Sequence, residues 1–211
     1  RGRTSLLRVN HRNTCQIAEA ASQLIMKNTL MRSSNEHVDP EWTKRQGAVP
    51  FLLRAPQNYQ QIDLVCQEIL SLLSTQRCRL SDIAILSCEN DICNFYKSVL
   101  VDKGLPAVMT GDPDFNILEE QIKVMTIHSA KGLEFPVVFL MNLTEGEFPR
   151  PPREVAQDEE EARLEIERMR MLCYVGMTRA ADLLYLVTVQ GKESQFIREL
   201  AGKVEYGQKI A

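Results

Sequence analysis

The stretch "MTIHSAKGLEFPVVFLMNL", Met125 to Leu143, holds two apolar runs that read as buried strands, Ile122 to Ile127 and Pro136 to Leu143. Between them lies a short polar turn carrying His128, Ser129, Lys131, Gly132 and Glu134. A turn joining two core strands needs a glycine and some polarity. It does not need an imidazole, a hydroxyl, an ammonium and a carboxylate together, so this turn is a candidate functional segment.

Working outward, strand and helix signals alternate, the pattern of a parallel sheet covered by helices. Strands are predicted at Ser5–Val9, Val49–Arg54, Asp82–Ser87, Ala107–Met109 and Leu183–Val189, besides the two above. Helices are predicted from about Thr14 to Lys27, Tyr59 to Leu73, Asp91 to Asp102, Glu159 to Thr178 and Glu193 to Leu200, the first, second and fourth with apolar residues along one face. Glu159, Glu160 and Glu161 open their helix where acidic groups suit the helix dipole. The 29–47 stretch is a long polar connection, 144–158 a proline-bearing surface loop, and the residues after 200 a frayed tail. The expectation is one α/β domain over residues 1–211.

With 211 residues and 44% hydrophobic content the chain can bury a substantial core. Its net charge of −3 provides no global basic field, so any contact with phosphate must be local. The apolar runs fall short of the roughly 18 residues a membrane span requires. The six cysteines are scattered without a C-x-x-C pair, which points to reduced thiols in an intracellular, cytoplasmic protein and to no metal site of its own. The start, "RGRTSLLRVNHRN", has no signal-peptide character and reads as the inside of a longer protein.

Ligands of open parallel sheets sit at the carboxyl ends of strands. Yet G-x-x-x-x-G-K-[ST] is absent, as are G-x-G-x-x-G and an apolar strand ending in Asp-Glu. The chain alone therefore lacks the usual means of holding magnesium-ATP. Two arginines stand out instead: Arg12, just beyond the first predicted strand, and Arg179, at the end of the acidic-start helix. A guanidinium at a strand's carboxyl end, facing a partner domain, is what an arginine finger requires. Spacing alone favours the plainer reading, in which Arg179 offsets helix C-terminal carbonyls and Arg12 is a solvated loop residue.

"VMTIHSAKGLEFPVVFL", then "ERMRMLCYVGMTRA", preceded by "LRVNHRN", resembles the C-terminal motor core of UvrD-like superfamily 1 DNA helicases. "DIAILSCEN", "GLPAVMTGDPDF" and "MNLTEGEFP" extend the likeness in order, over roughly residues 5 to 190. The resemblance implies a RecA-like domain whose N-terminal RecA-like partner, absent from this chain, carries the P-loop and the magnesium carboxylates. Arg12 and Arg179 match the family's motif IV and motif VI arginines, which reach the γ-phosphate of ATP across the interdomain cleft. Glu134 matches a motif V glutamate near the ribose, and Gly132 a glycine that lets backbone approach the nucleotide. His11 replaces the tyrosine that usually stacks on adenine.

Thr126, His128 and Ser129, with Asn90, match the single-stranded DNA track. Cys88 stands where an arginine contact to DNA is often found. Lys131 is equally readable as a phosphate contact or a plain surface lysine. The family's helical insertion, the 2B subdomain, is reduced to Asn116–Gln121. The implied function is the C-terminal half of an ATP-dependent DNA helicase or translocase, using ATP and Mg2+ held mainly by the N-terminal domain, with no catalysis by this half alone. The alternative is a degenerate helicase-like domain that binds DNA or protein.

Overall fold

The computed structural model describes residues 12–29, 45–150 and 159–206. The predicted strand Ser5–Val9 and His11 lie outside the described residues. The elements are α1 (Cys15–Ile25), β1 (Phe51–Ala55), α2 (Gln61–Ser74), β2 (Ile83–Ser87), α3 (Asn90–Asp102), β3 (Ala107–Met109), β4 (Ile122–Thr126), β5 (Phe135–Leu140), α4 (Glu159–Met177), β6 (Ala180–Val189), α5 (Gln195–Glu199) and β7 (Glu205–Tyr206). The strands form one sheet in the order β3-β4-β2-β5-β6-β1-β7. Every pairing among these seven strands is parallel.

A parallel sheet is buried on both faces, so its strands are apolar on both. Here successive residues feed two separate cores. Ala84, Leu86, Met125, Val138, Leu140, Leu184 and Leu186 point to one face, where Ile17 and Leu24 of α1, Cys173 and Met177 of α4 and Phe196 of α5 meet them. Their neighbours Ile83, Ile85, Val124, Val137, Phe139, Tyr185 and Val187 point to the other, under Val65 and Ile69 of α2 and Tyr96 and Leu100 of α3. The period-two alternation thus assigns each helix its side of the sheet. Thr14 caps α1, its side-chain oxygen accepting from the Ile17 N–H.

Two expectations are corrected. The residues after 200 are not all a tail: Glu205 and Tyr206 add a seventh strand beside β1, and the Arg54 guanidinium lies 4.4 Å over the Tyr206 ring. Two residues are too few to show any periodicity. The segment after β4 is also more than a turn. Because β4 and β5 are parallel and flank β2, residues 127–134 must travel from the carboxyl end of the sheet back to its amino end. Such a crossover usually takes a dozen or more residues and a helix. This one begins by extending the sheet, with the Ile127 N–H donating to the Ser87 carbonyl, and drops buried Ala130 into the core.

No helical lobe follows β3. Residues 110–121 form turns, tied down at several points. Asp112 accepts from Lys97 Nζ and the Met109 N–H, both at 2.6 Å. Glu120 accepts from the Leu80 N–H at 2.8 Å and the Ser81 hydroxyl at 3.1 Å. Lys123, fully buried in β4, sends its ammonium to the carbonyls of Glu119 and Gln121 at 2.6 and 2.9 Å. The short connection is a built piece of structure.

Candidate nucleotide and nucleic-acid sites

The crossover brings two groups of predicted residues to opposite ends of the sheet, about one strand length (~17–20 Å) apart. At the amino end, Glu134 leads into β5 and Arg179 into β6, where the Phe135 N–H donates to the Arg179 carbonyl. Arg179 follows the end of the acidic-start helix, as expected, but does not lie at the carboxyl end of a strand. It stands at the amino end because α4 runs antiparallel to the strands, so its C-terminus returns to where β6 begins.

Arg12 joins them, its Nε 2.7 Å from Glu134 Oε2. Arg179 is held firmly, with Nε donating to the Val175 carbonyl and Nη1 to that of Leu133, both at 3.1 Å. Burial first, and the Arg12 charge second, push its pKa below the ordinary arginine value; Tyr174 and Glu134 act the other way. Two guanidiniums thus share an end of the sheet with one partly exposed carboxylate between them, an arrangement suited to an anion. Gly132 adopts a left-handed φ of +89°, and the space where a Cβ would project is open. These residues fit a polyphosphate chain. Among the described residues no cluster of three His, Cys, Asp or Glu side chains could hold a metal ion.

At the carboxyl end, Ser87 and Thr126 are register partners, so the residues that follow them lie side by side. Asn90, the first residue of α3, therefore lies at the same end of the sheet as Thr126, His128 and Ser129. Asn90, His128 and Ser129 are exposed, while Thr126 is buried. The Thr126 hydroxyl accepts from the Ser129 N–H at 3.1 Å and lies 2.9 Å from the Ser129 hydroxyl, which shapes the turn and presents His128 outward. His128, Cys88, Glu89, Phe148, Met169 and Leu172 line part of a cavity of about 330 Å³. Burial pushes the Cys88 thiol up to about 12, so it is an inert neutral group there. Lys131 is exposed on the crossover between the two ends.

Three contributors gave no sequence signal. Asn13 is buried, and its side-chain amide donates to the carbonyls of Thr178, at 3.1 Å, and Ala180. Arg45 donates to the Arg12 carbonyl at 3.2 Å and to that of Ala181, and pairs with Asp182 at 3.0 Å. Asn142, at φ +61°, accepts from Tyr96 at 2.6 Å and donates to Glu147 at 3.0 Å beneath the DNA-side candidates.

A seven-stranded parallel sheet with helices on both faces, with no inserted lobe among the described residues, makes this an open-sheet α/β fold. Residues 111–191, which hold the stretches around His128, Glu134 and Arg179, match the UvrD-like helicase C-terminal domain. It is 47% identical over 92 residues to the ATP-dependent DNA helicase PcrA of Bacillus subtilis (strain 168), covering 39% of this chain and 12% of that protein. Against PcrA of Leuconostoc citreum it is 38% identical over 108 residues, 46% of this chain and 14% of that protein. The chain therefore matches a small part of these relatives' length. Among solved structures, the C-terminal domain of a possible DNA helicase from Lactobacillus plantarum WCFS1 shares the fold. Its TM-score is 0.65 at 20% identity, over 95% of this chain and 100% of that one. No helix among the described residues is long and apolar enough to cross a membrane.

Proposed function

We propose that this chain is the C-terminal motor domain of an ATP-dependent DNA helicase or translocase, completed by an N-terminal RecA-like domain that holds ATP and Mg2+. Arg179 and Arg12 reach the γ-phosphate from this side of the cleft, Glu134 and Gly132 border the ribose and phosphates, and His128, Ser129, Thr126 and Asn90 border single-stranded DNA. His11 is assigned to the adenine. The carrying observation is the meeting of Arg12, Glu134 and Arg179 at one end of the sheet. Charge accumulating on a transferring phosphoryl group is best stabilised by donors fixed beforehand, and the carbonyls of Val175 and Leu133 fix Arg179.

The crossover 127–134 supports the rest of the reading. It is one short, partly buried segment with the DNA candidates at its start and the nucleotide candidates at its end, so movement at either end is felt at the other.

The test is DNA-stimulated ATP hydrolysis by the helicase containing this domain. Arg179→Ala should lower turnover roughly 10³-fold, the low end for a lost arginine finger, and change nucleotide affinity far less. This domain by itself should not hydrolyse ATP. Hydrolysis by Arg179→Ala at the wild-type rate would show that Arg179 is no arginine finger; a whole protein that binds DNA without hydrolysing ATP would show a degenerate domain that binds DNA or protein.

A further inference from the structure

Arg12 and Arg179 lie far apart in sequence, and something must hold them in one geometry. The Arg12 side chain meets Glu134 where both are substantially exposed, and an exposed ion pair is a weak positional restraint. The backbone around Arg12 is fixed much more firmly. Asn13 is 1% exposed, and its amide spans the carbonyls of Thr178 and Ala180, one on each side of Arg179. Arg45, arriving from the far end of the long polar connection, ties the Arg12 carbonyl to the carbonyl of Ala181 and to the Asp182 carboxylate. All three contacts of Arg45 are made by its Nη2, so one end of the guanidinium gathers the Arg12 loop and residues 181–182 together.

We propose that Asn13 and Arg45 are positioning residues that staple the Arg12 loop to the 178–182 backbone, so that the two arginines act on one phosphate as a unit. This rests on the reading of Arg12 and Arg179 as phosphate contacts. The bonds run from the Arg12 loop to backbone flanking Arg179, and none of them needs the nucleotide. The pair is set before ATP arrives, and the staple affects turnover by fixing distance and angle. A misplacement of about 1 Å in such a site can cost about 10²-fold in rate.

The experiment is steady-state, DNA-stimulated ATP hydrolysis and thermal unfolding of the helicase containing this domain. The variants are Arg45→Ala and Asn13→Ala, each alone and combined with Arg179→Ala. Each alone should lower kcat by about 10²-fold and leave KM for ATP within about threefold. In the Arg179→Ala background neither should lower kcat further, because the two arginines act on the phosphate as a unit and that unit is already broken; groups acting as a unit are non-additive in this way. Loss of fold stability alone would lower kcat in both backgrounds alike. Arg45 is at the surface, so its variant decides the matter if Asn13→Ala does not fold. A normal kcat in Arg45→Ala, or losses that multiply with that of Arg179→Ala, overturns the staple and leaves Arg179 its role. An Arg179→Ala variant turning over at the wild-type rate overturns both.

Discussion

Arg12 Nε lies 2.7 Å from Glu134 Oε2, joining two residues that the family resemblance assigns to different parts of one nucleotide. On the proposed reading, ATP offers Arg12 a stronger anion than this carboxylate, and Glu134 then turns to the sugar hydroxyls. Their side chains are 36% and 60% exposed, so the pair is worth about 0–1 kcal/mol. Glu134→Gln should therefore leave thermal unfolding almost unchanged and raise KM for ATP about 10-fold, as expected for about 1.4 kcal/mol of lost binding. A large drop in melting temperature with an unaltered KM would show that the pair is structural.

His128 is exposed beside the buried Thr126, whose hydroxyl is occupied in shaping the turn. His128→Ala should weaken binding of a fluorescent oligodeoxythymidine by roughly 1–3 kcal/mol, the worth of one base contact. It should also blunt DNA-stimulated turnover while basal hydrolysis persists. The reverse pattern, normal DNA affinity with poor basal hydrolysis, would place His128 on the nucleotide side.

Much of this was legible in the sequence because parallel strands buried on both faces are continuous apolar runs, and "DIAILS" and "FPVVFL" are such runs. The order and spacing of motifs V and VI gave Glu134 and Arg179 their candidacy. Which end of the sheet they occupy was not legible, since that depends on α4 running back against β6. Nor were Asn13 and Arg45, whose roles come from acceptors on backbone carbonyls at 178–182, which no side-chain pattern records. The two-residue β7 exists only because β1 offers it an edge.

Lys123 gives a prediction with a pH sign. Burial lowers its pKa from the usual lysine value. In the folded protein it therefore releases its proton at lower pH than in the unfolded chain. Between those two pKa values the unfolded state binds more protons, so stability rises with pH across a window just below 10.5. Below that window the burial penalty is present in full. Lys123→Met keeps the stem and has no proton to lose. Wild type should gain stability relative to this variant as pH is raised from 8 towards 10 in urea titrations. A difference that stays constant over that range would contradict the assignment.

The connection between β3 and β4 stands where the family resemblance implies a helical lobe. Leu118, at its tip, is 85% exposed and contributes nothing to either core. The anchors lie on both sides of it: Asp112 before, and Glu119, Glu120 and Gln121 after, the last three holding Lys123, Leu80 and Ser81. A UvrD-type helical subdomain inserted between Ile117 and Leu118 should keep every anchor and leave the melting temperature of the rest of the domain within a few degrees. Replacing residues 117–121 with the same insert removes two carbonyl acceptors of a buried ammonium and the carboxylate that caps residues 80 and 81. The melting temperature should then fall by roughly 5 °C or more, since a domain of this size shifts about 2–4 °C per kcal/mol. Equal stability of the two grafts would show that the anchors are incidental. The Ile117–Leu118 graft also tests function: if a lobe controls duplex engagement, it should raise strand-separation rate relative to single-strand translocation rate. An unchanged ratio would show that the lobe has no such role on this domain.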